Sequence, residues 1–341
     1  MIVIRPSTLD DLDALIGLGA EAGAGMTNLP RERELLEAKI QASIDGFARE
    51  IGDSDKPGEE SYLFMMEDSS AGKVVGCCGI IATVGLSRPF YSYRLVRLPH
   101  TSRELKRYDT LTVLQMVNEY RGAAEIGTLY LTPTYRKNGN GSFLSRSRFL
   151  FMAEFPQRFP ELIMAEMRGM QDEQGRCVFW ESVGRHFLDI DFSYADYLSA
   201  VGKYQFIADL MPKHPIYLRL LPKAARDVIG VPHEATRPAL KLLEREGFRH
   251  EGCVDVFDAG PTIQCPLSEI HTVRESTRVA IHRIVKAVDS EDFIIANTQL
   301  ENFRMCRGNL RMQNNGKASI PRNVADALML EVGDHLRFVK A

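Results

Sequence analysis

Glu125-Ile126-Gly127-Thr128-Leu129-Tyr130-Leu131-Thr132-Pro133-Thr134-Tyr135-Arg136-Lys137-Asn138-Gly139-Asn140-Gly141-Ser142-Phe143-Leu144 is the stretch that decides the fold. Ile126, Leu129, Tyr130 and Leu131 read as a strand that runs into Pro133. Phe143, Leu144, Phe149, Leu150 and Phe151 then mark a strongly apolar helix. Between them, Arg136 to Gly141 fits R-x-x-G-x-G. Glycine carries no Cβ, so successive backbone N–H groups can approach phosphate oxygens while the helix that follows offers its positive end. Arg136 is placed to add charge. Taken alone, six residues fit a basic surface turn equally well. Their position between a strand and a helix favours a pyrophosphate cradle.

Upstream, residues 2 to 5 form a short β-branched run stopped by Pro6, and Ser7 or Thr8 stands before Asp10 and Asp11 as a helix start. Leu12, Leu15, Ile16 and Leu18 keep helical spacing, and Leu35, Leu36, Ile40 and Ile44 mark a second helix. Tyr62 to Met66 and Val74 to Val84, separated by Asp68-Ser69-Ser70-Ala71-Gly72, read as a hairpin. A strand is expected over Tyr91 to Leu98, whereas residues 100 to 122 show little periodicity and read as irregular or mixed. Downstream, Leu162 to Met167 is a strand, and 168 to 232 reads as an insertion of short helices and loops. Arg237 to Glu246 is a helix closed by Gly247, and Phe248 to Phe257 is a further strand. From about Ser276 the chain turns to short β-branched segments.

The expected fold is therefore α+β. A mixed, mostly antiparallel twisted sheet is flanked by helices over 1–275, with a large insertion at about 168–232 and a small β-rich subdomain at 276–341. A chain of 341 residues supports two such units. With 45% hydrophobic and 26% charged residues the composition is that of an ordinary globular protein. A net charge of -3 and a pI near 6.3 supply no field for nucleic acid or an anionic membrane. No apolar run approaches the roughly 20 residues that span a bilayer. The N-terminus, Met1-Ile2-Val3-Ile4-Arg5-Pro6, lacks the apolar core of a leader, so a cytoplasmic protein is expected. Six dispersed cysteines without a C-x-x-C pair read as reduced thiols. Alternation points Cys77 and Cys78 to opposite faces of their strand.

The residues at 128 to 141, with L-S-R-S-R-F-L-F-M-A at 144 to 153 and A-E-M-R-G at 165 to 169, resemble arginine N-succinyltransferases of the GNAT superfamily. So do M-P-K-H-P-I-Y at 211 to 217, V-I-G at 228 to 230, E-G-F-R at 246 to 249 and D-V-F-D-A-G-P-T at 255 to 262. The resemblance covers most of residues 1 to about 275. It implies a GNAT-like sheet and transfer of succinyl from succinyl-CoA to the α-amino group of L-arginine, in arginine catabolism. Succinyl-CoA would be a co-substrate, with no cofactor held permanently. The resemblance further implies that Leu129 contacts coenzyme A and that His233 donates a proton; Leu131 and, from the glycine loop, Arg136, Gly139 and Gly141 complete the candidate coenzyme-binding set. Association into a homo- or hetero-oligomer is also implied, with 100–122 and 190–232 as candidate interface.

Chemistry fits His233 to that role, because aminolysis of a thioester needs the departing thiolate protonated and imidazole exchanges protons near neutral pH. Without the family match, an exposed loop histidine at a helix start would be the plainer account. Glu125 is a candidate base through water, against the alternative of a solubilising charge on an edge strand. A guanidinium calls for carboxylates, from Glu166, Asp189 or Asp191, and a succinyl carboxylate for a cation, Arg168 or Arg185; surface ion pairing is the competing account of all five. Gly25-Met26-Thr27-Asn28-Leu29-Pro30 is a further candidate lining of the acceptor pocket. No metal is expected, since the eight histidines show no H-E-x-x-H and no pairing with cysteines.

Gly17-Leu18-Gly19-Ala20-Glu21-Ala22 fits G-x-G-x-x-A but lies within a helical pattern, so dinucleotide binding is rejected. Phe90, Tyr91 and Tyr93, and likewise Phe179 and Trp180, read as core rather than as base-stacking platforms. Two other functions remain open. One is the same chemistry on ornithine or another basic amine. The other is a coenzyme A-sensing DNA-binding regulator, suggested by a hairpin-like tail carrying Arg304, Arg307, Arg311, Lys317 and Arg322.

Overall fold

A computed structural model describes residues 1–22, 29–30, 32–52 and 55–341. Its strands are β1 (Ile2–Pro6), β2 (Ser61–Asp68), β3 (Lys73–Ile81), β4 (Ser92–Ser102), β5 (Arg107–Val117), β6 (Ala124–Leu131), β7 (Leu162–Glu166) and β8 (Ile216–Tyr217). They continue as β9 (Arg249–Asp255), β10 (Pro261–Pro266), β11 (Thr277–Val285), β12 (Asp292–Asn297), β13 (Met305–Asn309), β14 (Arg311–Met312), β15 (Ala318–Pro321) and β16 (His335–Lys340). All join one sheet in the order β14-β15-β11-β16-β12-β13-β1-β2-β3-β6-β7-β10-β9-β4-β5-β8. Among the described residues only β6–β7 and β11–β15 run parallel. The architecture is the mixed, mostly antiparallel α+β sheet expected.

Alternation along the strands assigns the two faces. Helix α3 (Asn140–Glu154) covers one face, where Phe64, Cys78, Ile126, Ile163 and Ala165 join Phe143, Leu144 and Phe151 in one cluster. Helices α1 (Leu12–Ala22) and α2 (Arg33–Ala48) cover the other, where Leu15, Leu36 and Ile40 pack on Leu63, Met65 and Cys77. Adjacent Cys77 and Cys78 thus enter different layers, as a period of two requires. All six cysteines are free and buried. Phe151 sits fully buried among Phe47, Tyr62, Phe64, Phe155, Phe159 and Phe303, with ring centroids 5.0–5.9 Å apart. These contacts bring the α2, β2 and 301–304 segments onto α3.

Residues 100–122 are not irregular. Ser92–Ser102 and Arg107–Val117 form an eleven-rung hairpin. Its outer half, around Leu98 to Arg107, is exposed or half-exposed on both faces, so no apolar alternation marked it in the sequence. The segment 168–232 holds five short α-helices, at Val178–Ser182, Gly184–Leu188, Phe192–Ala200, Gln205–Leu210 and Lys223–Val228. They enclose a third cluster around Phe179, Trp180 and Phe192, packed on Tyr93 and Val254. Phe179, Trp180 and Tyr93 are core, as read.

The chain from Thr277 onward extends the same sheet, because β13 pairs with β1 through Val3–Cys306 and Ile4–Met305. Its cluster, built on Val324, Ala325, Leu328, Ile320 and Leu336, takes Val3 from the first strand. Among the described residues, no helix is long and apolar enough to cross a membrane.

Candidate active site

The site begins with a fault in β6. Gly127 lies opposite Gly79 and Tyr130 opposite Cys77, so β6 holds one residue more than β3 over this span. Thr128, at φ +54°, absorbs the excess in the left-handed region that a β-branched residue seldom occupies. Strand β7 pairs with β6 only through Ala124 and Glu125. Past that point the two strands separate, and the Leu129 to Leu131 end of β6 borders a fork in the sheet. Leu129 is half-exposed there, while Leu131 is buried. A cleft between diverging parallel strands exposes a strand edge to which an extended amide-bearing chain can bond.

Beyond β6 the predicted loop is present. Gly139, at φ +73°, is the N-cap of α3 with no side-chain cap, and Asn138 is also left-handed at φ +52°. The first-turn amides of a helix have no carbonyl within it to bond, so the α3 N-terminus offers donors and positive potential to an anion. Gly139 is exposed and Gly141 half-buried. Arg136 folds back on the strand, its Nε donating to Leu131 O at 2.8 Å and its guanidinium lying 5.5 Å from the Tyr130 ring centre.

Arg307 on β13 was legible only as one of five dispersed basic residues in the tail. Its Nη1 donates to the Asn138 carbonyl and its Nη2 to Asn140 Oδ1 at 2.6 Å. Asn140 is buried and passes the restraint on, donating from Nδ2 to Tyr135 O at 3.0 Å. The glycine loop is therefore braced by a residue nearly 170 positions downstream. Arg307→Ala, which removes two charge-assisted bonds, is expected to weaken coenzyme A binding about tenfold. Lysine, lacking the planar fork, is expected to restore little. Calorimetric titration with coenzyme A checks both.

The end of β7 carries the other half of the site. His233 N donates to Arg168 O at 2.7 Å, and Gly169 bridges to Pro232, which ties the His233 loop to the segment after β7. The half-buried ring accepts from Ala235 N at Nδ1, 3.2 Å away. An acceptor Nδ1 puts the proton of the neutral ring on Nε2, the atom left to donate. Asp258 underpins the arrangement: Oδ2 accepts from Gly169 N at 2.7 Å and Oδ1 from Gly260 N at 2.8 Å. Arg168 reaches Asp196 at 3.3 Å, and burial pushes the Asp196 carboxyl up to about 6 against the pull of that arginine.

Of the proposed guanidinium partners, Asp189 and Asp191 are exposed. Arg185 pairs with Glu181 and Asp191 at 3.2 and 2.7 Å on the surface. Glu166 is different, being half-buried at the end of β7. Burial and the neighbouring carboxylates of Asp255, Glu125 and Asp258 push it well above the usual carboxylate range. Glu125 is no edge charge, because β6 lies inside the sheet between β3 and β7. Burial raises its carboxyl too, against the opposing pull of Lys39 and Arg88. Residues 25–28 of the proposed acceptor lining lie outside the described residues; Leu29 packs in the cluster beneath α1. Among the described residues, no group of three or more His, Cys, Asp or Glu could hold a metal. A cavity of about 340 Å³ between Arg5–Thr8, the end of α2 and Glu301–Arg304 touches none of these residues.

A bulged strand, a glycine loop capping a helix and a fork beside a parallel strand make a cleft that offers a strand edge to an extended amide-bearing arm and a helix N-terminus to an anion, the two features an acyl-CoA thioester needs. Comparison with known proteins identifies the family. The family "Arginine N-succinyltransferase beta subunit" matches residues 2–272, and its C-terminal domain family matches 276–340. The arginine N-succinyltransferase of Yersinia pestis (strain Pestoides F) is 42% identical over 99% of this chain and 97% of its own. That of Escherichia coli (strain 55989 / EAEC) is 40% identical over 100% and 98%. The solved arginine/ornithine succinyltransferase subunit AI from Pseudomonas aeruginosa superposes with a TM-score of 0.88 at 34% identity, covering 100% of this chain and 98% of that one. The chain belongs to the arginine N-succinyltransferase beta-subunit family.

Proposed function

We propose that this protein transfers the succinyl group of succinyl-CoA to the α-amino group of L-arginine, in the cytoplasm. The observation that carries the reading is the match to this family along the whole chain, which no partial likeness of fold would supply. In this reading the α3 N-terminus and loop, with Arg136, Gly139 and Gly141, hold the diphosphate of the thioester, and Leu129 and Leu131 lie beside its pantetheine arm. Glu125, whose carboxyl burial raises above the usual carboxylate value, takes a proton from the acceptor ammonium through water. The freed amine attacks the thioester carbonyl carbon, the C–N bond forms, and the C–S bond breaks. His233 gives its Nε2 proton to the departing sulfur and takes in its place the surplus proton of the nitrogen that becomes the amide. Arg168 is the cation offered to the succinyl carboxylate.

The regulator alternative loses support from the tail itself. Arg307 is engaged with the loop, Arg304 donates to Ala327 O and Arg311 to Asp289 O, so these three side chains are tied to the chain itself. Thiol release should be fastest with succinyl-CoA and arginine in a matrix of acetyl-CoA and succinyl-CoA against arginine, ornithine and lysine. Faster turnover with acetyl-CoA would overturn the donor, and faster turnover with ornithine the acceptor. DNA retention without thiol release would overturn the class.

A further inference from the structure

One polar row runs across the sheet face opposite α3. Ala124 and Ile126, like Ile163, Ala165 and Met167, face the α3 cluster, so Glu125 and Glu166 point to the other side. Thr262 on β10 is the direct cross-strand partner of Glu166 and shares its face. Tyr120 packs in the cluster on this same side with Met164 and Cys253, and the Glu166 carboxylate is among the charges that raise its phenol.

Two features of this row point to a ligand. Among the described residues, the Glu125 and Glu166 carboxylates have neither a hydrogen-bond nor a salt-bridge partner; Lys39 and Arg88 act on Glu125 from a distance, whereas Glu166 feels the carboxylates of Asp255, Glu125 and Asp258. Independently, Thr262 Oγ1 is buried without any hydrogen-bond partner, its residue 0% exposed, and Tyr120 Oη, on a residue 1% exposed, has only the thiol of Cys253 beside it. Buried polar atoms are nearly always satisfied, and unpaired acids gathered in one place repel. Both deficits are met by one planar cation with several N–H donors.

We infer that Glu166, with the hydroxyls of Thr262 and Tyr120, is the subsite for the guanidinium of the acceptor, leaving Glu125 to the amine that reacts. A carboxylate takes two parallel N–H bonds from a guanidinium, and the two hydroxyl oxygens accept from its remaining donors. A side-chain ammonium has three donors and no fork, so the same atoms favour arginine over ornithine. The inference rests on the proposed function for the identity of the acceptor, but the cation subsite stands on its own geometry.

The test sets arginine against citrulline, its neutral isostere, in the parent protein, Glu166→Gln and Thr262→Val, reading both turnover and calorimetric binding. The parent is expected to favour arginine over citrulline at least about 1000-fold in kcat/KM, as a site built for a specific polar group does. Glu166→Gln should lower kcat/KM for arginine on the order of 100-fold, mainly through KM, with KM for succinyl-CoA unchanged. The arginine-to-citrulline ratio should fall in step. Thr262→Val should reduce the ratio by about tenfold.

Folding is checked in the same samples. A carboxyl raised by burial weakens the fold as pH climbs through its raised value, so Glu166→Gln should melt no lower than the parent at neutral pH. A Glu166→Gln protein that keeps the parent's ratio in binding and turnover overturns the subsite. Charge-selective arginine binding by the parent, lost in Glu166→Gln, upholds the subsite even if no thiol is released, in which case the proposed function fails instead.

Discussion

His233→Ala is expected to lower kcat about 10²- to 10⁴-fold, the range that a positioned acid contributes, while the dissociation constant of coenzyme A changes little. The two effects separate because the histidine loop hangs on Arg168 and Gly169 at the end of β7, whereas the glycine loop follows β6 and is braced by Arg307. Nδ1 is engaged with Ala235 N, so alanine removes the Nε2 donor without leaving a buried charge unpaired. Turnover by thiol release and affinity by calorimetry give the split. An unchanged kcat would remove His233 from the chemistry, and an equal loss of coenzyme A affinity would make it a structural residue.

Gly260→Ala is expected to be as damaging to activity and more damaging to the fold. A Cβ at Gly260 would overlap the Met167 carbonyl and the Gly169 amide, both backbone atoms that cannot swing aside. Gly260 N also bonds Asp258 Oδ1, and the other oxygen of that carboxylate holds Gly169. Relief requires the β9–β10 turn to move away from the end of β7, shifting Glu166, Arg168 and the attached His233 together. Overpacking of this kind costs roughly 1–3 kcal/mol, and more where backbone is the obstacle. A displacement near 1 Å at a reacting centre costs on the order of 100-fold in rate. A lowered Tm together with a kcat loss of that size, measured on protein that still binds coenzyme A, is the expected result. An unperturbed Tm would show that the turn yields freely.

These two sites differ in how far the sequence disclosed them. The β6–loop–α3 unit was legible because its signals are local. Apolar β-formers, Pro133, two glycines and a Phe/Leu-rich helix follow one another within thirty residues, and each element forms for reasons contained in it. Gly247 closes its helix at φ +105° for the same kind of reason. The bulge at Thr128 was not legible, since nothing in a β-branched residue announces a left-handed backbone; the count of residues against β3 creates it. Glu125 looked like an edge charge because strand order is a property of the whole chain, and the strand beside it, β7, arrives some forty residues later. The β4–β5 hairpin was missed where both its faces meet solvent and apolar alternation lapses. Thr262 carried no signal, because an unsatisfied hydroxyl becomes visible only once its neighbours are known. Arg307 was counted for its charge and not for its reach.

The helix that presents the glycine loop is anchored at both ends by the last stretch of chain. Arg307 secures its N-terminus. At its C-terminus the buried Glu154, a poor choice beside the negative end of a helix, is neutralised by Arg278 at 3.0 Å and Arg337 at 2.8 Å. Cutting the protein after residue 275 would therefore bare the hydrogen-bonding edge of β1, strand an anion against apolar packing and release the glycine loop from its brace in one stroke. Residues 276–341 are the keystone of α3 and its glycine loop, and a shortened version designed on residues 1–275 alone would begin without it.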